Sequence, residues 1–455
     1  MMLPSDVHNI EDAIKIVKER NLSHIKIGLF DIDGILRGKY ISQKKFLSAL
    51  ENGLGFCDVV VGWDCNDQIY DNAKITGWHT AYPDAPVRII PESCRSIPLE
   101  DNTLLFLCEF LPPFDEVCPR GIFKRVLHKA NQLGFKVYGA LEYEFFLFNE
   151  TPESVREKNY QNLVPITPGY FGYSGLRSSV WSDLYHEILN FFEQMNIPIE
   201  GLHTETGPGV LEAALYVDEG THIVDKAALF KTFMKVLAQK NQMMACFMAK
   251  WSANWPGQSG HIHLSLIKDE QAAFYDKNKP DTLSDTMKHF VAGQQKLMPE
   301  VLAMIAPTLN SYRRLIPGFW APTHATWGIE NRTCALRVIK GSPKSQRVEY
   351  RIAAADANPY LAVAAALGSG LYGIEHKMDL VPKIEGNSYT QDHPSHYQLP
   401  PTLWDATQKF KKSTAARNLF GDQFVDHFAI SREWEVREFN KSITDWELNR
   451  YFEII

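Results

Sequence analysis

Hydrophobic and polar residues alternate with the period of a β-strand along residues 136–148, KVYGALEYEFFLF. Successive side chains of a strand point to opposite faces, so Glu142 and Glu144 share one face and the apolar residues around them share the other. Two neighbouring carboxylates repel each other unless water, a proton or a cation separates them. Taken alone, the segment is typical of a solvated sheet edge, and a metal site is the alternative.

Three further segments combine an ionic face with an apolar back. They are HTETGPGVLEAAL (203–215) with Glu205 and Glu212, SGHIHLSL (259–266) with His261, His263 and Ser265, and RVEYRIA (347–353) with Arg347, Glu349 and Arg351. A lone histidine is ordinarily a satisfied core residue, and a lone Arg-Glu-Arg run is ordinarily a salt-bridged surface. Four such strands together predict a curved sheet whose concave side is an ionic pocket.

The remaining pattern predicts an α+β fold with two domains. The segment before residue 111 begins with a helix and continues with short apolar runs, HIKIGLFDI, FCDVVVGW, VRII and TLLFLCEF, which predict a small mixed sheet. A proline-rich linker follows at 111–121. Beyond it, long helical segments such as SDLYHEILNFFEQM lie between strands without a regular βαβ repeat. We therefore expect one domain over residues 1–112 and a second over 113–455.

Composition and charge exclude several classes of protein. The net charge of −7 over 455 residues argues against nucleic-acid and anionic-membrane partners. The seven cysteines form no CxxC pair, which suits a reducing compartment and gives no indication of zinc. The most apolar segment, NPYLAVAAALGSGLYGI, is interrupted by glycines and predicts a buried helix instead of a membrane span. We expect a cytoplasmic protein.

The ionic residues indicate a class of chemistry. Carboxylates with imidazoles suit hard divalent cations such as Mg²⁺ or Mn²⁺. Arginines suit carboxylates and phosphates, and five of them are candidates: Arg314, Arg332, Arg337, Arg347 and Arg351. Metals and arginines together serve phosphoryl transfer from a nucleoside triphosphate. The sequence contains no GxxxxGK[ST] loop, so it predicts an ATP-dependent, metal-assisted transferase or ligase outside the P-loop class.

Six motifs carry a resemblance to a known family: LEYEFFLF, HTETGPGVLE, SGHIHLSL, NSYRRLIPG, ENRTCALRV and RVEYRIAAADANPYLA. With them the chain resembles the glutamine synthetase superfamily over nearly its whole length. The resemblance implies a small β-grasp N-terminal domain and a catalytic domain with a curved antiparallel sheet flanked by helices. It also implies a dodecamer of two hexameric rings with active sites between subunits. ATP would phosphorylate the side-chain carboxylate of glutamate, and an amine would attack the acyl phosphate, with two or three Mg²⁺ or Mn²⁺ ions per site.

The resemblance also implies roles for individual residues. Those of the metal and nucleotide sites are Glu144, Glu205 and Glu212 as ligands near the substrate, Glu142, His261 and Glu349 as ligands near ATP, and His263, Ser265, Arg337 and Arg347 against the nucleotide. Those of the reacting groups are Arg332 on the transferred phosphoryl group, Arg314, Arg351 and Gly257 on a glutamate-like substrate, and Asp31 and Tyr170 at the amine.

One departure from the family pattern bears on the substrate. The mobile loop after RLIPG normally carries a glutamate that accepts a proton from ammonium, and Trp320 stands at that position here. A large apolar ring in place of an anion favours an organic amine over ammonia. Alternatively, the ring packs the loop down. The segment DIDGILRGK (31–39) also resembles the amine-ligating relatives, the γ-glutamyl-polyamine and γ-glutamyl-monoamide synthetases, more than the ammonia enzymes. Val210 and Pro256 also replace expected polar residues. Pro256 stands where the family has an asparagine that contacts the backbone groups of glutamate, which leaves the identity of the acid open.

The sequence therefore predicts an ATP-dependent glutamate–amine ligase that forms a γ-glutamylamide. An ammonia-using glutamine synthetase and a non-catalytic scaffold of the same fold are the alternatives.

Overall fold

The structure is a computed structural model that describes residues 2–455, and it contains two β-sheets. The strands of the first are β1 (His24–Phe30), β2 (Leu36–Ser42), β3 (Leu54–Cys57), β4 (Asp84–Ile89), β5 (Arg95–Ser96) and β6 (Leu104–Phe110). Their order is β2-β1-β6-β4-β3, with β5 on β6, and the central pair β1–β6 is parallel. Helices α1 (Ile10–Glu19) and α2 (Gln43–Asn52) contribute to the same apolar core.

The expectation of a strand through FCDVVVGW is wrong beyond Cys57. Residues Asp58–Val61 form a 3₁₀ helix, and both Val60 and Val61 are buried. Adjacent residues of a strand point to opposite faces, so a strand at the rim of this sheet would expose one of the two valines. A tight helical turn buries both.

The second sheet contains the four ionic segments. Its strands are β7 (Lys136–Phe148), β8 (Ile199–Thr204), β9 (Val210–Leu215), β10 (Asp218–Glu219), β11 (Met244–Cys246), β12 (Gly260–Lys268), β13 (Gln271–Ala272), β14 (Trp327–Ile329), β15 (Leu336–Ile339) and β16 (Arg347–Tyr350). The order of the main path is β14-β15-β16-β12-β7-β9-β8. All neighbours are antiparallel except the edge pair β14–β15. The mixed fold class and the curved sheet are confirmed.

Twelve further helices accompany this sheet. They are α3 (Pro119–Gln132), α4 (Pro152–Glu157), α5 (Gly175–Val180), α6 (Ser182–Gln194), α7 (Thr221–Lys240), α8 (Asp285–Ile305), α9 (Ser311–Arg314), α10 (Pro359–Glu375), α11 (Leu403–Lys412), α12 (Thr414–Phe420), α13 (Asp422–Phe439) and α14 (Asp445–Tyr451). The apolar segment that we expected to be a buried helix forms α10, which is buried along nearly its whole length. Among residues 2–455, no helix is both long enough and apolar enough to cross a membrane.

Helix α7 explains why the ionic residues of β7 face away from the core. The ring of Phe230 on α7 lies 6.0 Å from the rings of both Tyr143 and Phe145 on the apolar face of β7. With that face covered, Glu142 and Glu144 project from the opposite face, as the alternation predicts. The expected boundary between residues 112 and 113 stays a prediction.

Candidate active site

The register of the second sheet brings the ionic residues of separate segments together. Across neighbouring strands the paired residues are Arg337 with Glu349, Glu349 with His263, His261 with Glu142, Glu144 with Glu212, and Glu212 with His203. Directly opposed residues of an antiparallel pair have their Cβ atoms about 5 Å apart. The alternation within each strand and this register therefore produce one continuous ionic surface.

The first cluster on this surface consists of Glu142, His261 and Glu349. One ligand atom from each lies within 4.8 Å of the other two. The Nδ1 atom of His261 is 3.5 Å from a carboxylate oxygen of Glu142 and 3.5 Å from one of Glu349. Burial opposes ionisation of Glu349, but His261 and Arg351 outweigh it and lower the pKa of that carboxyl to about 2. The Glu349 carboxylate is thus a ready acceptor for a cation.

The second cluster consists of His203, Glu205 and Glu212, whose ligand atoms also lie within 4.8 Å of one another. The His203 Nε2 atom is 3.5 Å from Glu212. Glu144 faces Glu212 across the β7–β9 ladder but lies outside this cluster, and its carboxylate accepts a hydrogen bond of 2.8 Å from the Ser259 amide. Burial raises the pKa of Glu144, and the negative charge of Glu212 adds to the effect.

Sequence reasoning missed His203. The residue stands two positions before Glu205, and the strand period of two therefore places both on one face. That spacing was the available signal.

The donor sets of both clusters fit divalent cations. Each contains carboxylate oxygens and one imidazole, a combination that Mg²⁺ and Mn²⁺ accept. Glu144 and Glu212 lie directly opposite each other, and a cation between two such carboxylates relieves their repulsion. The six ligands predicted from the sequence all lie on this surface, with His203 added to them.

Basic residues border the first cluster. Arg337 donates hydrogen bonds to Glu349 (3.0 Å) and to Glu330 (2.6 Å). Arg347 donates to Nδ1 of His263 at 3.1 Å, and Nε2 of the same ring lies 3.2 Å from Glu142. Arg332 is exposed on the turn before β15, and Ser265 lies further along the face of β12. Positive charge is therefore concentrated beside this cluster, where a polyphosphate would need it.

The two arginines expected to hold a glutamate-like substrate are buried. Arg314 is 5% exposed and donates to the backbone oxygens of Ile352 (2.9 Å) and Arg351 (3.2 Å). The guanidinium of Arg351 pairs with Glu349. A Cβ atom at Gly257 would lie 2.6 Å from Cγ of Arg314, so the glycine allows the arginine its place. In this conformation both guanidiniums are bound to protein acceptors.

The Asp31 carboxylate is bound by its own turn and by Arg37. The side chain is 1% exposed, and its carboxylate accepts hydrogen bonds from the amides of Asp33 (3.0 Å) and Ile35 (2.9 Å) and from Arg37 (2.7 Å). Burial raises the pKa of Asp31 to about 7, and the charge of the neighbouring Asp33 contributes, while Arg37 and the Ile35 amide act in the opposite direction. Its predicted role at the amine is not reproduced by contacts within one chain.

Tyr170 and Trp320 lie on exposed loops. The Tyr170 hydroxyl is 3.4 Å from the backbone oxygen of Asn254. Trp320 is 59% exposed and has a φ of 57°, a left-handed conformation that is unusual for a bulky residue. Most of the surface of this residue meets solvent, so the ring is not part of the buried core.

Comparison with known proteins agrees with this geometry. Residues 116–451 match the family described as glutamine synthetase, catalytic domain. The chain is 44% identical to type-1 glutamine synthetase 2 of Dictyostelium discoideum, over 99% of this chain and 88% of that protein. It is 35% identical to glutamate–isopropylamine ligase of Pseudomonas, over 96% of this chain and 97% of that one. It is 34% identical to γ-glutamylethanolamide synthetase of Streptomyces coelicolor, over 98% and 96%.

Solved structures show the same fold. The GmaS/ADP complex superposes with a TM-score of 0.84 at 24% identity, covering 97% of this chain and 99% of that one. The sheet, its paired acidic clusters and these sequence relationships together place the chain in the glutamine synthetase family of ligases.

Proposed function

We propose that this protein is an ATP-dependent glutamate–amine ligase that joins the γ-carboxylate of glutamate to an organic amine. The observation that carries the proposal is the exposed ring of Trp320 on the loop where ammonia-using relatives are expected to have a carboxylate. The relatives named for isopropylamine and for ethanolamide show that the family accommodates ligases of organic amines.

The reaction has two steps. A γ-carboxylate oxygen of glutamate attacks the γ-phosphorus of ATP, and ADP leaves with the electrons of the broken P–O bond. The amine nitrogen then attacks the acyl carbon of γ-glutamyl phosphate, phosphate leaves, and the nitrogen loses a proton to a base. Divalent cations, held by the two clusters, would supply positive charge against the phosphate oxygens.

The residues of this chain divide the remaining work. Arg337 and Arg347 border the first cluster and would bind the phosphates of the nucleotide, with His263 and Ser265 beside them. Arg332 is exposed and would stabilise charge on the phosphoryl group in transfer. Arg314, Arg351 and Gly257 would bind the acid, which requires that substrate carboxylates replace the acceptors that now hold the two guanidiniums.

Asp31 and Tyr170 would serve the amine. Since the Asp31 carboxylate binds groups of its own turn and Arg37 within its chain, we propose that its loop acts at the site of a neighbouring subunit. The assembly proposed is the two-ring dodecamer that the resemblance implies, with the β-grasp domain over residues 1–112 and the catalytic domain over 113–455.

An ammonia-using glutamine synthetase is the second candidate. The observation in its favour is the 44% identity to type-1 glutamine synthetase 2, which exceeds the identity to either amine ligase. The two candidates share every step except the nucleophile, so the choice depends on the amine alone.

The decisive experiment offers purified protein ATP, Mg²⁺ and glutamate with a panel of amines and measures phosphate release. The panel contains ammonia, methylamine, isopropylamine, ethanolamine, benzylamine and putrescine. The proposal expects at least one organic amine to exceed ammonia in kcat/KM, and a clear advantage for ammonia contradicts it. A Glu142→Gln, Glu349→Gln double variant serves as control for contaminating activity, because it removes two carboxylates of one cluster.

If no amine of the panel gave phosphate release and calorimetry detected no binding of Mg²⁺ and ATP, the results would favour a non-catalytic scaffold of the same fold.

A further inference from the structure

An aromatic loop, residues 170–174 (YFGYS), is fastened to the strand that leads to Glu205. The backbone N–H of Tyr173 donates to the Thr204 carbonyl at 2.7 Å, and the N–H of Ser174 donates to the Thr204 hydroxyl at 2.9 Å. The same hydroxyl donates to the carbonyl of Phe171 at 2.8 Å. Thr204 is 7% exposed and immediately precedes Glu205. Three hydrogen bonds to one buried residue therefore fix this loop against the second acidic cluster.

The ring of Tyr173 is held with one face covered and the other open. It stacks on the imidazole of His203 with the ring centres 4.2 Å apart and the planes 21° apart. The residue is nevertheless 72% exposed and has a φ of 54°. Left-handed conformations of bulky residues are strained and concentrate at functional sites. The exposed ring of Tyr173, held in this conformation against His203 of the second cluster, offers its open face to a ligand.

A second aromatic loop lies beside the first. Phe319 and Trp320 belong to the loop after Arg314, and both loops contact the segment 250–255. The Tyr170 hydroxyl lies 3.4 Å from the Asn254 carbonyl, and Lys250 Nζ lies 5.8 Å from the centre of the Phe319 ring. The mouth of the site is thus bordered by aromatic rings from two loops.

Two cationic side chains of the protein already lie over aromatic rings of these two loops. Lys250 lies over Phe319, and the Arg177 guanidinium lies 4.8 Å from the centre of the Phe171 ring. These positions are the ones that a second ammonium group of a substrate would seek, and the resident charges repel it. The rings of Tyr173 and Trp320 remain open for an uncharged group.

We infer that Tyr173 is a specificity-determining residue, and that its open face binds the apolar, preferably aromatic, substituent of a primary monoamine. This inference rests on the proposed function. The substituent packs on the open face of Tyr173, beside the second cluster. Diamines are poor substrates because their second ammonium meets Lys250 and Arg177.

The test compares benzylamine, methylamine and putrescine as substrates of the wild type, Tyr173→Ala and Tyr173→Phe. Because Tyr173→Ala removes an aromatic contact with the substituent, we expect kcat/KM for benzylamine to fall about five- to tenfold, chiefly through KM. The value for methylamine falls less, about twofold. Tyr173→Phe retains the ring and restores benzylamine to within about twofold of the wild type.

Tyr160→Ala is the matched control. Tyr160 is also an exposed tyrosine with a positive φ of 58°, and its backbone contacts lie within its own turn, away from both clusters. This variant should leave the ratio between benzylamine and methylamine at the wild-type value.

Equal losses for benzylamine and methylamine in Tyr173→Ala would assign the ring to support of His203 and overturn the inference. An unchanged kcat/KM for benzylamine, or putrescine ranking above benzylamine in the wild type, would also overturn it. The proposed function is judged separately, by whether the wild type prefers any organic amine to ammonia. The Tyr173 inference depends on the ratio between two organic amines, so the two can fail independently.

Discussion

At the scale of single residues, Trp320 is the position that most directly separates the two candidate functions. Replacing it by glutamate returns an anion to the loop and removes an apolar contact. We expect Trp320→Glu to shift the ratio of kcat/KM for ammonia over isopropylamine by about tenfold towards ammonia, which corresponds to about 1.4 kcal/mol. Competition between the two amines, followed by product analysis, measures this ratio directly.

Trp320→Gln separates the two effects of that substitution. It removes the ring without adding a charge, so it should lower kcat/KM for isopropylamine and leave kcat/KM for ammonia unchanged. A ratio that stays constant in both variants would show that the ring serves the conformation of the loop alone.

Much of the candidate site was predictable at this scale because a strand alternates its side chains. The period of two places Glu142 with Glu144 and His261 with His263, and the structure shows the same faces. The burial of Asp31 was not predictable, since it depends on Arg37 and on amides of its own turn. His203 was predictable from its spacing to Glu205 and was overlooked.

At the scale of elements, Arg120 in the first turn of α3 joins parts of the structure that are distant in sequence. Its guanidinium contacts Asp225 of α7 at 3.1 and 3.2 Å and also pairs with Glu109 of β6. All three side chains are buried. Burial opposes the charge on Arg120, but the two carboxylates outweigh it and hold its pKa above the ordinary value.

Arg120→Ala should therefore lower the free energy of unfolding by about 3–5 kcal/mol, because it removes the cation that pairs with buried Asp225 and leaves that carboxylate with the Tyr360 hydroxyl alone. Glu109 loses one of its three cationic partners and keeps Arg88 and Lys124. Urea denaturation followed by fluorescence measures the loss. Lys129→Ala is the control: Lys129 is also on α3 and pairs at 2.6 Å with Glu375 of α10, but the pair is partly exposed. We expect that change to cost less than about 1 kcal/mol. Similar losses of stability in the two variants would contradict the conclusion that Arg120 stabilises the packing of α3 against α7 and β6.

The positions of helices and strands along the sequence were more predictable than which of them lie next to each other in the fold. The buried helix α10 and the strand β7 follow directly from residue pattern. The failure in FCDVVVGW shows the limit, since an apolar run of this length suits either a strand or a tight turn that buries consecutive valines. The order β16-β12-β7-β9 joins segments far apart in sequence, and no local pattern encodes it.

At the scale of the whole molecule, helix α13 near the C-terminus holds the N-terminal region in place. Arg432 pairs with Asp33 at 2.6 Å, and the Trp434 indole donates to Asp64 at 3.2 Å. The first pair spans 399 residues of sequence. Contacts over such a separation depend on the completed fold and could not be predicted from the sequence.

His427 makes this junction sensitive to acid. The ring is fully enclosed on α13, and burial lowers its pKa to about 4, with Arg432 acting in the same direction and the Val61 backbone opposing. The unfolded chain, with a pKa near 6.5, binds a proton at higher pH than the folded chain does. Stability contributed by the neutral ring is therefore complete above about pH 6.5 and is lost as the pH falls towards 4, by about 1.4 kcal/mol per pH unit.

We expect His427→Phe to flatten this dependence. The urea midpoint of the wild type should decrease as the pH is lowered from 7 to 5. The midpoint of the variant should decrease less over the same range, even if the larger ring lowers its value at both pH values. His376→Phe is the control, because that histidine is exposed at the end of α10 and its replacement should leave the slope unchanged. Parallel slopes for the wild type and His427→Phe would show that the acid sensitivity of the junction arises from other groups, such as the carboxylates that pair with α13.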